Sequence, residues 1–169
     1  STKFDPDLAL TSEQRSNALH EIEEKLQASL KQVQKLSDDT VIRRALNVLT
    51  SAVRTNYFLS RDELRVALKI DCAKITRMPE PRPMFEIFVH SPSFEGVHLR
   101  SAKVARGGLR WSERPEDFRT EVLGLMKTQV VKNSIIVPSG AKGGFVLLGQ
   151  LATEPTPTAV KTCYQNFIR

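Results

Sequence analysis

Several features that mark common protein classes are missing from this sequence of 169 residues. Its two cysteines, Cys72 and Cys163, lie far apart and form no CxxC pair, so neither a disulfide framework nor a zinc site is indicated. No apolar run approaches the ~20 residues that a membrane span needs, and the N-terminus lacks the basic-then-apolar layout of a signal peptide. The sequence therefore predicts a cytoplasmic protein with reduced thiols, no bound metal and no membrane partner.

Signatures of nucleotide and nucleic-acid binding are equally scarce. No G-x-G-x-x-G occurs, so the chain has no dinucleotide fingerprint. Lys142 is followed by Gly143, whereas a Walker loop has Ser or Thr there. The net charge is +6, but Lys and Arg alternate with Glu and Asp along most segments, and a nucleic-acid-binding protein typically clusters its basic residues on one face. The charge fits a receptor for small anions, and nucleic acid is not expected as a partner.

Periodic apolar residues predict two helices at the start of the chain. A capping-box pattern stands at 11–14, and the helix after it is expected to reach about Lys35 with one apolar stripe. A second helix is expected to end near Tyr57. Because the connection between them is short, the helices should pack as an antiparallel hairpin. Residues 1–60 are thus predicted to form a helical N-terminal segment.

From about residue 61 the pattern changes to strands that alternate with helices. The expected elements are strands at 66–70, 84–90, 96–104 and 135–138, a turn at 138–144, an apolar run at 145–148, and helices at 115–134 and from 159 onward. Such alternation is typical of an α/β fold. The predicted fold class is therefore α/β, with α+β character at the N-terminus: a helical hairpin followed by a mixed sheet with flanking helices.

Glycines and cations are concentrated in the stretch 104–147. Arg106 adjoins Gly107 and Gly108, and Lys142 is flanked by small residues in the sequence PSGAKGG. Glycine lets the backbone approach a ligand closely, because no side chain intervenes. A cation beside bare backbone N–H groups is a good receptor for carboxylate or phosphate. Both turns are therefore candidate anion-binding elements.

The helix between these turns carries further polar groups. Gln129 and Lys132 are three residues apart and share a face. Neighbouring positive charges and burial disfavour protonation of a lysine, so Lys142, which the glycines enclose, is a candidate general base or nucleophile. The alternative is that these lysines are ordinary surface charges and that the glycines only shape turns.

Three ordered motifs resemble those of the glutamate dehydrogenase family. They are RGGLR at 106–110, QVVKN at 129–133 and PSGAKGG at 138–144. The flanking sequence, including EIFVHSP at 86–92, is similar to the corresponding sequence of the large NAD-specific class of this family. The resemblance covers roughly residues 54–169. It implies that residues 61–169 form an incomplete substrate-binding α/β domain of an amino-acid dehydrogenase.

The resemblance also implies roles for particular residues. Lys142 would be the catalytic lysine that activates water during oxidative deamination. Lys132 and Gln129 would bind the α-carboxylate with help from the N–H of Gly108. Arg106 stands where smaller family members have a lysine for the γ-carboxylate, and this change keeps the charge but alters its reach. The substrate-binding residues that the resemblance implies are Arg106, Gly107, Gly108, Gln129 and Lys132.

The activity that the resemblance implies is oxidation of L-glutamate to 2-oxoglutarate and ammonia with hydride transfer to NAD. NAD would be bound by a domain outside this chain, which alone would be inactive, and the full-length enzyme would be a homo-oligomer. Two alternatives stay open. One is a dehydrogenase for another amino acid, and the other is a non-catalytic module that binds anions or RNA.

Overall fold

The computed structural model describes residues 2–59, 65–132 and 139–169. The helices are α1 (Ser12–Leu30), α2 (Leu36–Ser51), α3 (Phe118–Lys132), α4 (Gln150–Thr153) and α5 (Pro157–Ile168). The strands are β1 (Ala52–Thr55), β2 (Val66–Asp71), β3 (Phe85–Ser91), β4 (Phe94–Arg100), β5 (Leu109–Trp111) and β6 (Ala141–Leu147). The strand predicted at 135–138 lies outside the described residues.

The chain divides into two compact units, the first ending at Thr50 and the second beginning at Ser51. In the first unit, α1 begins with a capping box that confirms the prediction. The Thr11 hydroxyl accepts a hydrogen bond from the N–H of Gln14 at 3.2 Å, and the Gln14 side chain accepts one from the N–H of Thr11 at 2.9 Å. These bonds satisfy two backbone donors that an α-helix leaves without partners at its start.

The apolar stripes of α1 and α2 remain largely exposed within the first unit. Leu30 is its only buried hydrophobic residue among the described positions. The exposed apolar side chains include Ile22, Leu26, Leu36, Val41, Ile42, Val48 and Leu49. Arg43 Nη1 donates a hydrogen bond to Gln27 Oε1 at 3.0 Å and so connects the two helices. No helix in the described part of the chain is long and apolar enough to cross a bilayer.

The second helix is shorter than its periodicity predicted. It ends at Ser51, and the next four residues form the edge strand β1 instead of continuing the helix toward Tyr57. Strand β1 pairs antiparallel with β2, in a register that places Ala52 opposite Ile70. Pairing with a distant strand overrides the local helical preference here.

The second unit contains one six-stranded sheet with the order β1-β2-β3-β4-β6-β5. Strands β1, β2, β3, β4 and β6 pair antiparallel in that order, whereas β5 and β6 are parallel. The sheet is therefore mixed, as the predicted fold class requires. A parallel pair needs a crossover connection, and the connection from β5 to β6 contains α3.

Helices cover the two faces of the sheet around β4 and β6. One core joins α3 to the sheet and consists of Val97, Leu99, Phe118, Val122, Leu123, Met126 and Val146. The other core includes Val89, Phe94, Phe145, Leu147 and Cys163 of α5. Successive residues of a strand point to opposite faces, so Val146 of β6 faces α3 while Phe145 and Leu147 face α5.

Candidate functional site

The segment 106–108 lies directly beside the start of β6. Arg106 and Gly140 form a parallel bridge. The N–H of Ala141 donates to the carbonyl of Arg106 at 3.1 Å, and the N–H of Gly143 donates to the carbonyl of Gly108 at 3.0 Å. The two glycine-rich segments that are separated in sequence by α3 thus become neighbours through the pairing of β5 with β6.

The adjacent glycines of this segment face different surroundings. A Cβ atom on Gly107 would lie 1.4 Å from the carbonyl oxygen of Ala141, so no side chain fits there. A Cβ atom on Gly108 would meet nothing within 4 Å. Gly107 therefore permits the contact between the backbone segments, and Gly108 borders open space that a ligand could enter.

Lys142 belongs to strand β6, so the prediction of a turn over 138–144 is wrong for its second half. The strand begins at Ala141, and Lys142 pairs with Leu99 of β4. Glycines at 143 and 144 permit this strand because neighbouring side chains occupy the space beside them. A Cβ atom at these positions would lie 2.1 Å from Leu109 Cδ2 and 2.4 Å from Val122 Cγ2, respectively.

The side chain of Lys142 is on the α3 face of the sheet. Residues 142, 144 and 146 of β6 share one face, which Val146 and the contact of Gly144 with Val122 identify as the face covered by α3. Lys142 is half-buried, and its cross-strand neighbour Leu99 is fully buried. The backbone of this lysine is therefore held beside the core, on the face of the sheet that α3 covers.

Gln129 approaches the same region from α3. A Cβ atom on Gly140 would lie 2.9 Å from Gln129 Cβ and 2.9 Å from the backbone N of Val130, so the helix and the start of β6 are in close contact. Lys132 is the last residue of α3, and its side chain is outside the described part of the structure. The backbone thus brings together the segments carrying Arg106, Gly107, Gly108, Gln129 and Lys142.

Two serines hold the beginning of β6 and were not among the sequence-predicted site residues. The Ser101 hydroxyl donates to the carbonyl of Gly140 at 2.8 Å and accepts from its N–H at 2.9 Å. The Ser139 hydroxyl donates to the carbonyl of Val104. No local pattern could have revealed these contacts, because each hydroxyl bonds to backbone more than thirty residues away.

Ion pairs attach α3 to the sheet near its N-terminal end. Glu86, on β3, accepts two close bonds from the guanidinium of Arg119, at 2.9 Å and 2.6 Å. Arg110 Nε lies 2.8 Å from Glu121 Oε1, and the Ser112 hydroxyl donates to the other oxygen of that carboxylate at 2.7 Å. Hydrogen bonding to Glu86 raises the pKa of Arg119, which holds the guanidinium charged.

Two cysteines and a histidine of the second unit have shifted pKa values. Burial raises the pKa of Cys72 to about 12 and also raises the pKa of Cys163, so neither thiol forms a nucleophilic thiolate readily. Burial, and secondarily the charge of Arg100, lowers the pKa of His98. Across the described ranges, no three His, Cys, Asp or Glu side chains are grouped to hold a metal ion.

Comparison with known proteins identifies the family to which this chain belongs. The model of the bacterial NAD-glutamate dehydrogenase catalytic domain matches residues 25–169. The chain therefore belongs to this family.

Individual relatives show the same kinship. The chain is 49% identical to an NAD-specific glutamate dehydrogenase of Halomonas elongata over 158 residues, which is 89% of the chain. It is 45% identical to one of Pseudomonas aeruginosa over 99% of the chain, and 48% identical to one of Mycobacterium tuberculosis over 79% of the chain. The matched segment covers 10%, 11% and 9% of these proteins, respectively. The chain thus spans about a tenth of the length of the curated relatives that it matches.

Proposed function

We propose that the full-length protein containing this chain oxidises L-glutamate to 2-oxoglutarate and ammonia, with NAD as the hydride acceptor. The observation that carries this proposal is the position of Lys142: it extends from β6 on the α3 face, beside the two segments that carry Gly108 and Gln129. Residues 61–169 would supply the substrate-binding part of the catalytic domain, and residues 1–60 a helical segment before it.

We assign substrate binding to groups in the segment 106–108 and on α3. Gly108 borders open space, so a ligand could approach its backbone N–H without a steric obstacle. The Arg106 side chain is exposed, and its guanidinium suits the γ-carboxylate of a dicarboxylic substrate. Gln129 would hold the α-carboxylate together with Lys132, whose assignment rests on its place in the motif QVVKN.

The proposed chemistry divides between this chain and a domain outside it. NAD, when bound by a domain outside this chain, would supply the acceptor for the hydride that leaves the α-carbon as glutamate is oxidised to its imine. Lys142 would then act as general base: it takes a proton from a water molecule, which adds to the imine carbon before ammonia leaves. Partial burial of Lys142 between α3 and the sheet limits competing solvent contacts. No residue of this chain is assigned to NAD.

The deciding experiment measures NAD-dependent glutamate oxidation by the full-length protein and by its Lys142→Ala variant. We expect the variant to lose at least ~100-fold in kcat, as is common when a general base is removed. Lys127→Ala is the matched control, because Lys127 is an exposed lysine on α3 outside the proposed site. Activity of Lys142→Ala equal to that of Lys127→Ala would remove the proposed role of Lys142.

The same assay separates the alternative functions. A parent that oxidises another amino acid much faster than glutamate would be a dehydrogenase of different specificity. A parent that oxidises no amino acid but binds polyanions in a strongly salt-dependent manner would be a non-catalytic binding module. Homo-oligomeric assembly and a cytoplasmic location complete the proposal, and size measurement and fractionation of the full-length protein test them.

A further inference from the structure

We propose that Ser101 is a positioning residue of this site: its hydroxyl fixes the peptide groups of Gly140 and thereby sets the place of Lys142 relative to α3. The inference rests on the proposed dehydrogenase function, since it assigns Ser101 a part in the same reaction. Ser101 follows directly after β4, which ends at Arg100, and Gly140 directly precedes β6.

Three hydrogen bonds connect Ser101 to Gly140. The backbone N–H of Ser101 donates to the carbonyl of Gly140 at 3.0 Å, and the Ser101 hydroxyl donates to the same carbonyl at 2.8 Å. The hydroxyl also accepts from the N–H of Gly140 at 2.9 Å. A hydroxyl is suited to this arrangement because it both donates and accepts. Alanine at 101 would keep only the backbone bond and would leave the N–H of Gly140 without this acceptor.

Gly140 is the point where three parts of the site meet. It bridges to Arg106 on one side and is held by Ser101 on the other. Above it lies α3, since an added Cβ would come within 3.0 Å of Gln129 Cβ and of the Met126 carbonyl. A displacement of Gly140 therefore moves the start of β6 against the segments that bear the other proposed site residues.

A second hydroxyl supports the same connection. Ser139 is buried, and its hydroxyl donates to the carbonyl of Val104. The segment that leads from β4 toward Arg106 is therefore attached to the residues before β6 through both Ser101 and Ser139. Between them, Ser101 is the one whose bonds engage both peptide groups of Gly140, two residues before Lys142.

The proposal predicts a kinetic effect with little change in substrate affinity. Proton transfer depends steeply on the distance between a general base and the reacting atom, and a 1 Å displacement can cost about a hundredfold in rate. The carboxylates of the substrate would be held mainly by groups outside β6, on α3 and in the segment 106–108. Removal of the Ser101 hydroxyl should therefore lower kcat more than it raises KM for glutamate.

The test compares Ser101→Ala, Ser101→Thr and Ser91→Ala in the full-length protein. Threonine retains the hydroxyl. Ser91 is the matched control, because it is a buried serine at the opposite end of the β3–β4 hairpin whose hydroxyl bonds to Ser93. For Ser101→Ala we expect kcat to fall at least ~10-fold and KM to change less than ~3-fold. Ser101→Thr should stay near the parent, as should Ser91→Ala.

A further readout distinguishes positioning from a general loss of folded enzyme. Hydrogen exchange of the peptide containing Gly140 should accelerate in Ser101→Ala and not in Ser91→Ala. Loss of folded protein lowers kcat without accelerating exchange selectively at Gly140.

The outcomes separate this inference from the proposed function. A parent protein without glutamate oxidation would overturn the proposed function and this inference with it. An active parent with unchanged kcat in Ser101→Ala would overturn the inference alone. It would equally be overturned if kcat fell only in proportion to the amount of folded protein, or if Ser101→Thr were as impaired as Ser101→Ala.

Discussion

The adjacent glycines of the candidate site, Gly107 and Gly108, have different structural roles. Gly107 lies against the carbonyl of Ala141. Because both partners in this contact are backbone, neither can move aside as a flexible side chain could. Gly108 faces space that is empty of protein within 4 Å of an added Cβ. From the sequence, the two glycines are equivalent members of one motif. Their difference depends on the neighbouring strand β6, which local sequence cannot reveal.

Alanine at each position should therefore have a different effect. Gly107→Ala should separate the segment 106–108 from β6 and cost roughly 1–3 kcal/mol, as overpacking commonly does. Hydrogen exchange of the Ala141 amide, which bonds to the Arg106 carbonyl, should accelerate. Gly108→Ala should keep that protection and instead raise KM for glutamate, because its methyl group enters the open space. Equal exchange in the two variants would contradict this distinction.

His98 makes local stability depend on pH. Its Nδ1 is buried and, among the described residues, has no hydrogen-bond partner, and burial lowers its pKa from the ordinary value of 6.5. Below about 6.5 the unfolded state binds more protons than the native state. The stabilisation is thus complete above pH 6.5 and is lost as the pH falls through the lowered folded-state pKa.

We accordingly expect β4 and β6 to open more readily at about pH 5 than at about pH 7.5. Hydrogen exchange of these strands, corrected for intrinsic rates, measures the difference. His98→Leu should remove most of it, whereas His20→Gln should not, because the His20 side chain is 73% exposed. Identical pH dependence in the His98→Leu variant would assign the effect to another group.

Among the elements, α3 determines how the parts of the site are spaced. Its apolar face packs on β4 and β6 through Val122 and Met126, and its N-terminal end is held by Glu86 through Arg119. The Glu86 side chain is 8% exposed and that of Arg119 is 31% exposed. Removing one member of so buried a pair leaves an uncompensated charge inside the protein.

Arg119→Ala should therefore destabilise the α3 region by about 3–5 kcal/mol. Adding Glu86→Gln should recover part of this loss, because the buried group is then uncharged. Arg114→Ala serves as the control, since the Arg114–Asp117 pair is exposed and such pairs contribute about 1 kcal/mol or less. Local hydrogen exchange in α3 measures the stability of all three variants. Equal effects of Arg119→Ala and Arg114→Ala would contradict the prediction.

The elements that sequence predicted correctly are those with local signals. The capping box of α1 can be recognised because both of its residues lie within one turn of the chain. Strand β5 has only three residues and exists through its pairing with β6. The sequence placed Lys142 in a turn because the glycines beside it are typical of turns. In the structure these glycines belong to a strand, and they are needed there because the side chains of Leu109 and Val122 fill the space beside them.

The candidate site was predictable to a similar extent. The motifs identified which segments come together, because each carries its own glycines or cations. They did not identify Ser101, whose importance in the structure comes from bonds to a residue that is 39 positions away. Supporting residues of this kind have no sequence pattern of their own, so they emerge only from the fold.

At the scale of the whole chain, the two compact units differ in their capacity to fold alone. The first has Leu30 as its only buried hydrophobic residue in the described range 2–50. The second contains two hydrophobic cores and all six strands of the described residues. Short helices without tertiary packing are marginal in water, so we expect the first unit to be unstable by itself.

Separate expression of the two units tests this difference. A fragment of residues 1–50 should show little helical circular dichroism and no cooperative thermal transition. A fragment of residues 51–169 should unfold cooperatively, because it buries an apolar core on each face of its sheet. Cooperative unfolding of the shorter fragment would contradict this expectation, because it would mean that the few buried contacts of the fragment are enough for it to fold alone.

The crossover β5–α3–β6 has a further consequence for how the protein is made. Every residue proposed to touch the substrate lies between positions 106 and 142, and Ser101 is translated just before them. A ribosome adds about 5–20 residues per second, so these parts emerge within seconds of one another. In a polypeptide as long as the matched relatives, this region could assemble on the nascent chain while the rest was still awaiting synthesis.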